Sequence, residues 1–292
     1  MARIFPIVNI KKLVFKINKR ISKNNDIVIC LYGDEGVGKS TLGLLLTILM
    51  MKAKSFSFIN NVAWSSNPQE IIDKVKKMPK GSVLLLDEAI KFLEKQEWRK
   101  STFIKKLFNV IRGRNLITIL VLPRLIDLTE YFRNHRVLLS IYCHWRGFGV
   151  VTMKSRIPNV EDPFYIKYNN WLLSKFLDNN SDDINVMQGF AKMKGFKGFI
   201  NFPNLPKDIL DIYEGFKLHY DLLNLSEGNE GDDNSKETQL SLMLAKTVMT
   251  LKDKGMKIRE ISKLLSVNDN RTKYYLYNFK NDERLVKTKS VK

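Results

Sequence analysis

Short, unbroken apolar runs alternate with longer stretches in which apolar residues recur every three or four positions, the pattern of buried strands separated by amphipathic helices. Ile27-Val-Ile-Cys-Leu-Tyr32, Ser82-Val-Leu-Leu-Leu-Asp-Glu88 and Asn115-Leu-Ile-Thr-Ile-Leu-Val-Leu122 read as core strands, the last closed by Pro123. Leu42 to Met51 is a helix directly after the first strand, and Gln69 to Lys77 is another, with Pro68 at its first position, where the missing N–H costs nothing. Phe92 to Lys100 and Ser101 to Gly113 are predicted helices, the second with Phe103, Leu107, Phe108, Val110 and Ile111 on its apolar face. Leu128 to His135 reads as a short helix, Arg136 to His144 as a strand, and Phe148 to Met153 as its hairpin partner across Gly147. Two weaker segments, Lys12 to Asn18 and Ser55 to Asn60, are expected as strands from β-branched and aromatic content and from alternation. Strands alternating with helices predict an α/β fold with a mostly parallel sheet and an antiparallel edge.

The pattern changes after residue 155. Residues 156–225 are rich in aromatics and are expected to form a helical extension of the core, with Pro203 and Pro206 bracketing a loop before the helix Lys207 to Tyr220. Residues 226–237 are polar, acidic and nearly free of apolar side chains, a flexible linker by composition. Beyond it, Leu240, Leu244, Val248 and Leu251 mark a helix that ends at Gly255. Lys257 to Leu265 is a second helix and Asp269 to Lys280 a third, across the turn Ser266-Val-Asn268. This spacing predicts a helix-turn-helix or winged-helix DNA-binding domain over 238–292, its small core formed by Ile258, Ile261, Leu264, Leu265 and Val267. Asn270, Arg271, Thr272, Lys273 and Tyr274, at the front of the third helix, are the candidates to meet a major groove. The core domain is then 1–155.

Composition sharpens the picture. With 292 residues, 44% of them hydrophobic, the chain can bury one full-sized domain and a smaller one. Its 49 Lys and Arg against 30 Asp and Glu leave a formal charge of +19, and nucleic acid is the commonest reason for so large a positive field. Cys30 and Cys143 are the only cysteines, which excludes a disulfide framework or zinc spacing and fits a reducing cytoplasm. The apolar run from Leu42 to Met51 falls far short of the roughly 18 residues that suggest a membrane span.

The chemistry begins where the first strand meets its helix. Gly33, Asp34, Glu35, Gly36, Val37, Gly38, Lys39, Ser40 and Thr41 form a Gly-x4-Gly-Lys-Ser loop in strand-turn-helix context. Its glycines let the backbone curl amide N–H groups inward, and the helix N-terminus adds its dipole, so polyphosphate is the expected occupant. Lys39 would reach the β- and γ-phosphates of ATP, and the Ser40 hydroxyl would ligate Mg2+. The strand ending in Asp87 and Glu88 supplies the complement: Asp87 as a second Mg2+ ligand and Glu88 as the base for the attacking water. Between Lys91 and Arg146 stand twelve basic residues and four acids, a net +8. Arg112, Arg114, Arg124 and Arg136 are the candidates for γ-phosphate chemistry, in cis or across a subunit boundary, each with a structural role as the alternative. His135 and His144 have no second ligand at metal spacing.

Residues 26–155 resemble the P-loop ATPases of the additional-strand, catalytic-glutamate division. Within it they are most similar to the FtsK/HerA superfamily of DNA pumps, including the Zot-like proteins of viruses and mobile elements. The motifs that carry this are Gly33 to Thr41, Leu84-Leu-Leu-Asp-Glu88, and the block from Ile111 to Arg136. The family usually ends the strand after the acidic pair with a polar sensor, often Gln; here Leu122-Pro123 stand there and Arg124 is the nearest polar group. The resemblance implies a homo-oligomeric ring, a hexamer, with ATP between subunits and an arginine from the neighbour completing each site. Three functions are open on the sequence: a DNA-stimulated translocase on double-stranded DNA, a nucleotide switch that sets the oligomeric state of a DNA-binding regulator or replication-associated factor, and a Zot-like assembly or export ATPase.

Overall fold

The computed structural model describes residues 5–51, 56–63, 68–87, 102–155, 157, 160–177, 183–226, 244–253, 255–265 and 267–278. In chain order the elements are α1 (Ile10–Ile21), β1 (Ile27–Tyr32), α2 (Lys39–Met50), α3 (Phe58–Asn61), β2 (Val62–Ala63), α4 (Pro68–Lys77), β3 (Val83–Leu86), α5 (Thr102–Gly113) and β4 (Ile117–Leu122). There follow α6 (Glu130–His135), β5 (Val137–Trp145), β6 (Phe148–Met153), α7 (Ile166–Leu177), α8 (Asp183–Ala191), β7 (Phe196–Asn201), α9 (Lys207–Ser226), a helix over 244–253 (α10), α11 (Ile258–Leu265) and α12 (Asp269–Asn278). Two compact units result, Met1–Lys54 with Asn67–Asn204, and Ser55–Ser66 with Leu205–Lys292.

Within the first unit six strands form a sheet in the order β3-β4-β1-β5-β6-β7. The pairs β3/β4, β4/β1 and β1/β5 are parallel, whereas β5/β6 and β6/β7 are antiparallel. β4 therefore stands between the strand that feeds the glycine loop and the strand that ends at Asp87. Residues of β1, β3 and β4 are buried throughout apart from Tyr32, because helices cover parallel strands on both faces. α2 lies close on one face: a Cβ added to Gly43 would come within 2.9 Å of Leu85 Cδ1 and 3.3 Å of Leu31 Cδ1.

Three expectations need correction here. Lys12 to Asn18 is not an edge strand but lies inside α1, where the Asn9 side chain accepts from the Lys12 N–H as N-cap and Val14 and Ile17 bury one helical face. β-branched content misled there, since the spacing of those two residues is helical. β7 interrupts the expected all-helical extension, with Phe199 and Ile200 buried against β6. The third correction belongs to the second unit. The alternating strand expected over Ser55 to Asn60 is not formed by the described residues 56–60, because the Ser57 hydroxyl accepts from Asn60 N–H while Asn61 Oδ1 accepts from Ser57 N–H. Those two bonds stabilise the single turn α3 against extension. Its Phe58 is fully buried and stacks on Phe216 of α9, centroids 5.9 Å apart.

The last three helices of the second unit bury Leu244, Val248 and Leu251 on α10, Ile261 and Leu265 on α11, and Tyr275 on α12. Of the small core expected for this region, Ile258, Leu264 and Val267 are only half-buried. Val267 N–H bonds the Ser262 carbonyl at 3.0 Å and closes the turn between α11 and α12. The acidic stretch 227–237 and the predicted helix Phe92 to Lys100 lie outside the described residues.

Candidate functional site

In a parallel sheet the C-terminal ends of all strands point to one edge, where ligands bind. That edge gathers the Gly33–Thr41 loop after β1, Asp87 after β3, Pro123 and Arg124 after β4, and Arg146 after β5. Gly33 N–H donates to the Pro123 carbonyl at 3.0 Å, which ties the loop to the end of β4. Gly33 has φ 145° and a Cβ there would run into the Cys143 carbonyl oxygen, so only glycine passes. Gly38, φ 90°, starts α2 in a left-handed conformation that aims the first helical amides into the loop. The Lys39 ammonium donates to the Gly33 and Asp34 carbonyls at 2.8 and 2.6 Å and so sits over the loop mouth.

The decisive contact spans 47 positions of sequence. Ser40 Oγ donates to Asp87 Oδ1 at 3.0 Å, and Asp87 is only 2% exposed. A serine hydroxyl beside a buried carboxylate, both hard oxygen donors, suits Mg2+. Because β4 separates the two parent strands, this is the additional-strand arrangement of the nucleotide-binding sheet. The chain has the fold of a P-loop NTPase.

No protein-family model and no curated protein matches the sequence. Among solved structures, similarity is found to the genome packaging NTPase B204 of Sulfolobus turreted icosahedral virus 2 in complex with AMPPCP, at 17% identity and TM-score 0.35 over 44% of this chain and 93% of that one. It is also found to the replication initiator DnaA bound to AMPPCP and single-stranded DNA, at 15% identity and TM-score 0.30 over 95% and 90%. A third is the Bacillus subtilis DNA clamp loader delta protein, at 12% identity and TM-score 0.29 over 94% and 90%. The fold is carried instead by the strand order and the Ser40–Asp87 contact.

The arginines divide sharply. Arg112, Arg114 and Arg136 sit at the opposite edge of the sheet, a strand length of about 20 Å from the loop, because each precedes the strand it borders. Arg136 Nη2 pairs with Asp26 Oδ2 at 2.8 Å and donates to the Phe108 carbonyl at 3.2 Å, so it fastens α5 and the start of β5 to the start of β1. Arg114 Nη1 donates to the Met78 carbonyl at 3.0 Å, while Arg112 is exposed and lines a cleft with Asp26 and Lys80. For these three the expected role at the same chain's γ-phosphate is corrected to a structural one for Arg114 and Arg136, and to a remote surface position for Arg112. Arg124 is on the productive edge, its guanidinium paired with Asp127 at 2.9 Å and largely exposed.

Sequence reasoning passed over Arg146. It caps the β5–β6 hairpin beside the loop, its Cγ 3.9 Å from where a Gly38 Cβ would be, and the Phe202 ring lies 3.5 Å from the same point. Phe202 N–H donates to the Gly147 carbonyl at 2.9 Å and holds that hairpin in place. Only the strand order, which puts β5 next to β1, reveals this proximity.

On the face of the sheet opposite α2 a cavity of about 460 Å3 opens, lined by Tyr32, Gly33, Asp34, Arg124 and Tyr142 with Asn169 and Leu173 of α7. Tyr32 and Tyr142 rings stand 5.3 Å apart across neighbouring strands. Burial pushes the Tyr142 phenol up, and Asp34 adds to the shift. Cys143, whose carbonyl abuts the loop, has its thiol pushed up to about 12 by burial, with Lys39 opposing the shift. His144 packs among the rings of Tyr142, Trp145 and Phe190, and His135 is exposed against Tyr131.

In the second unit the groove candidates split as well. Thr272 is fully buried, accepting from Ser262 Oγ at 2.8 Å and donating to the Asn268 carbonyl, so it cannot face a groove and its expected contact is corrected. Asn270, Lys273 and Tyr274 are exposed. Tyr277, 71% exposed one turn on, shares their face and was missed. The Arg271 side chain and Glu88 lie outside the described residues.

Proposed function

We propose that the chain is an Mg2+-dependent ATP hydrolase that works on double-stranded DNA as a ring of identical subunits. The observation that carries the hydrolase reading is the Ser40–Asp87 hydrogen bond at the mouth of the glycine loop. The inward amides of Gly36 to Ser40 and the α2 N-terminus hold the β- and γ-phosphates, and Lys39 exchanges the loop carbonyls for phosphate oxygens. Mg2+ held by Ser40 and Asp87 would offset charge that builds on the leaving oxygen. Glu88 takes a proton from water as its oxygen attacks the γ-phosphorus; the bond to the bridging oxygen breaks, giving ADP and phosphate. The DNA reading is supported by the +19 charge and by the exposed Asn270, Lys273, Tyr274 and Tyr277 face of α12. Among the described residues, Arg146 and Arg124 are the arginines available to phosphate at the same edge, and Arg112 remains available to a neighbouring subunit.

Glu88→Gln tests the assigned base. Phosphate release should fall about 100- to 10,000-fold, while affinity for a fluorescent ATP analogue stays within about three-fold. Turnover left intact would remove Glu88 from the chemistry. Hydrolysis by the wild type without displacement of a triplex-forming strand from duplex DNA would favour the nucleotide switch over the motor.

A further inference from the structure

A second surface of the first unit carries chemistry that ATP hydrolysis does not use. On α7, Asn169 and Leu172 face inward: Asn169 Nδ2 donates to the Phe164 and Lys194 carbonyls at 3.0 and 3.1 Å, and Leu172 joins the core around Phe148 and Phe190. The outward face of the same helix nevertheless carries two large rings. Trp171 is 53% exposed and Tyr168 is 39% exposed, their centroids 5.9 Å apart. About half of the Trp171 surface and more than a third of the Tyr168 surface stay in water, area that folding leaves unused.

Cations surround them. The Lys175 ammonium lies 4.0 Å from the Trp171 ring centroid, and Lys194, from the turn before β7, lies 4.5 Å from Tyr168 and 5.4 Å from Tyr165. Lys167 is exposed on the same helix; Glu161 and Asp162 precede the helix, where Asp162 Oδ2 accepts from the Lys167 backbone N–H, and Asp178, Asp182 and Asp183 follow it in sequence.

We infer that Trp171 and Tyr168, with Lys175 and Lys194, form a stacking site for single-stranded nucleic acid. Protein interfaces enrich tyrosine and tryptophan but deplete lysine, so lysines poised over exposed rings point to a polyanion that also has π faces. A duplex hides its base faces within its own stack, which leaves an unpaired strand as the occupant. On binding, a base takes the Trp171 face and Lys175 moves from the ring to a phosphate. The proposal is independent of ATP hydrolysis and of the α12 face.

The test uses the full chain and a fluorescein-labelled oligo(dT) of about twenty nucleotides, read by anisotropy over a salt series. Trp171→Ala and Tyr168→Ala should each weaken binding about ten-fold, and Trp171→Phe should retain most of it. The double variant Lys175→Ala with Lys194→Ala should flatten the salt dependence by about one to two phosphate contacts. Oligo(dT) should also quench a component of tryptophan emission that Trp171→Phe lacks. Unchanged affinity in both alanine variants, or quenching that persists in Trp171→Phe, overturns the site. Thermal melting and ATP turnover without nucleic acid should match wild type, because none of these side chains touches the phosphate loop; an alanine variant that melts early is replaced in the comparison by Trp171→Phe and the lysine pair.

Discussion

Asp87→Asn should lower ATP turnover about 100- to 1,000-fold at saturating Mg2+ while the chain stays folded, a loss on the scale of one preorganised charge-stabilising group. Asparagine has the same size and keeps an oxygen that accepts from Ser40 Oγ, so the 3.0 Å link between the loop helix and the end of β3 survives. What disappears is the negative charge, in a place only 2% exposed, where no solvent ion can take it over. Ser40→Ala removes the other oxygen donor, and since both serve one ion in the proposed site, the double variant should be hardly worse than Asp87→Asn alone. Phosphate release by the three variants over an Mg2+ series checks this. Turnover within about three-fold of wild type in Asp87→Asn, or losses that multiply in the double variant, would show that the two residues do not share a site.

Gly33→Ala should be the most damaging single methyl that can be added to the loop. It forces both a conformation L-residues avoid, at φ 145°, and a collision with the Cys143 carbonyl, which is backbone of a central strand and has nowhere to move. Overpacking and backbone strain together come to about 2–5 kcal/mol, or roughly 5–15 °C of melting temperature for a unit of this size. Gly36→Ala is the control: φ is 77°, yet nothing lies within 4 Å of the added Cβ, so only the backbone cost of about 1 kcal/mol remains. Melting curves of the two variants separate these cases. Equal destabilisation would mean that the loop does not press on β5 as described.

The loop and Asp87 were legible in the sequence because their chemistry is local: glycines, lysine and serine within nine positions, and acids at the end of an apolar run. The arginines were not, because their value depends on which edge of the sheet they occupy. Arg136 precedes β5 and Arg146 follows it, and only the parallel pairing of β5 with β1 turns that order into far and near. Thr272 shows the same limit on a smaller scale. Its position at the front of α12 suggested a groove contact, whereas Ser262, ten residues earlier, claims its hydroxyl. The misleading signal was composition in α1 and alternation in α3, and the overriding one was a side-chain cap at Asn9 or Ser57. The exposed rings of α7 were read only as part of an aromatic-rich region. Farther along the same aromatic-rich region Phe190 and Phe199 are buried, and Lys194 is the residue that reaches the α7 surface.

The most direct test of the central claim is phosphate release from Mg-ATP by the full chain, with and without duplex DNA. Hydrolysis should be measurable, abolished by chelation of Mg2+ and raised several-fold by duplex DNA, an increase that fades as salt weakens the phosphate contacts. Hydrolysis indifferent to DNA at every salt concentration, or none above that of Asp87→Asn, would contradict that claim.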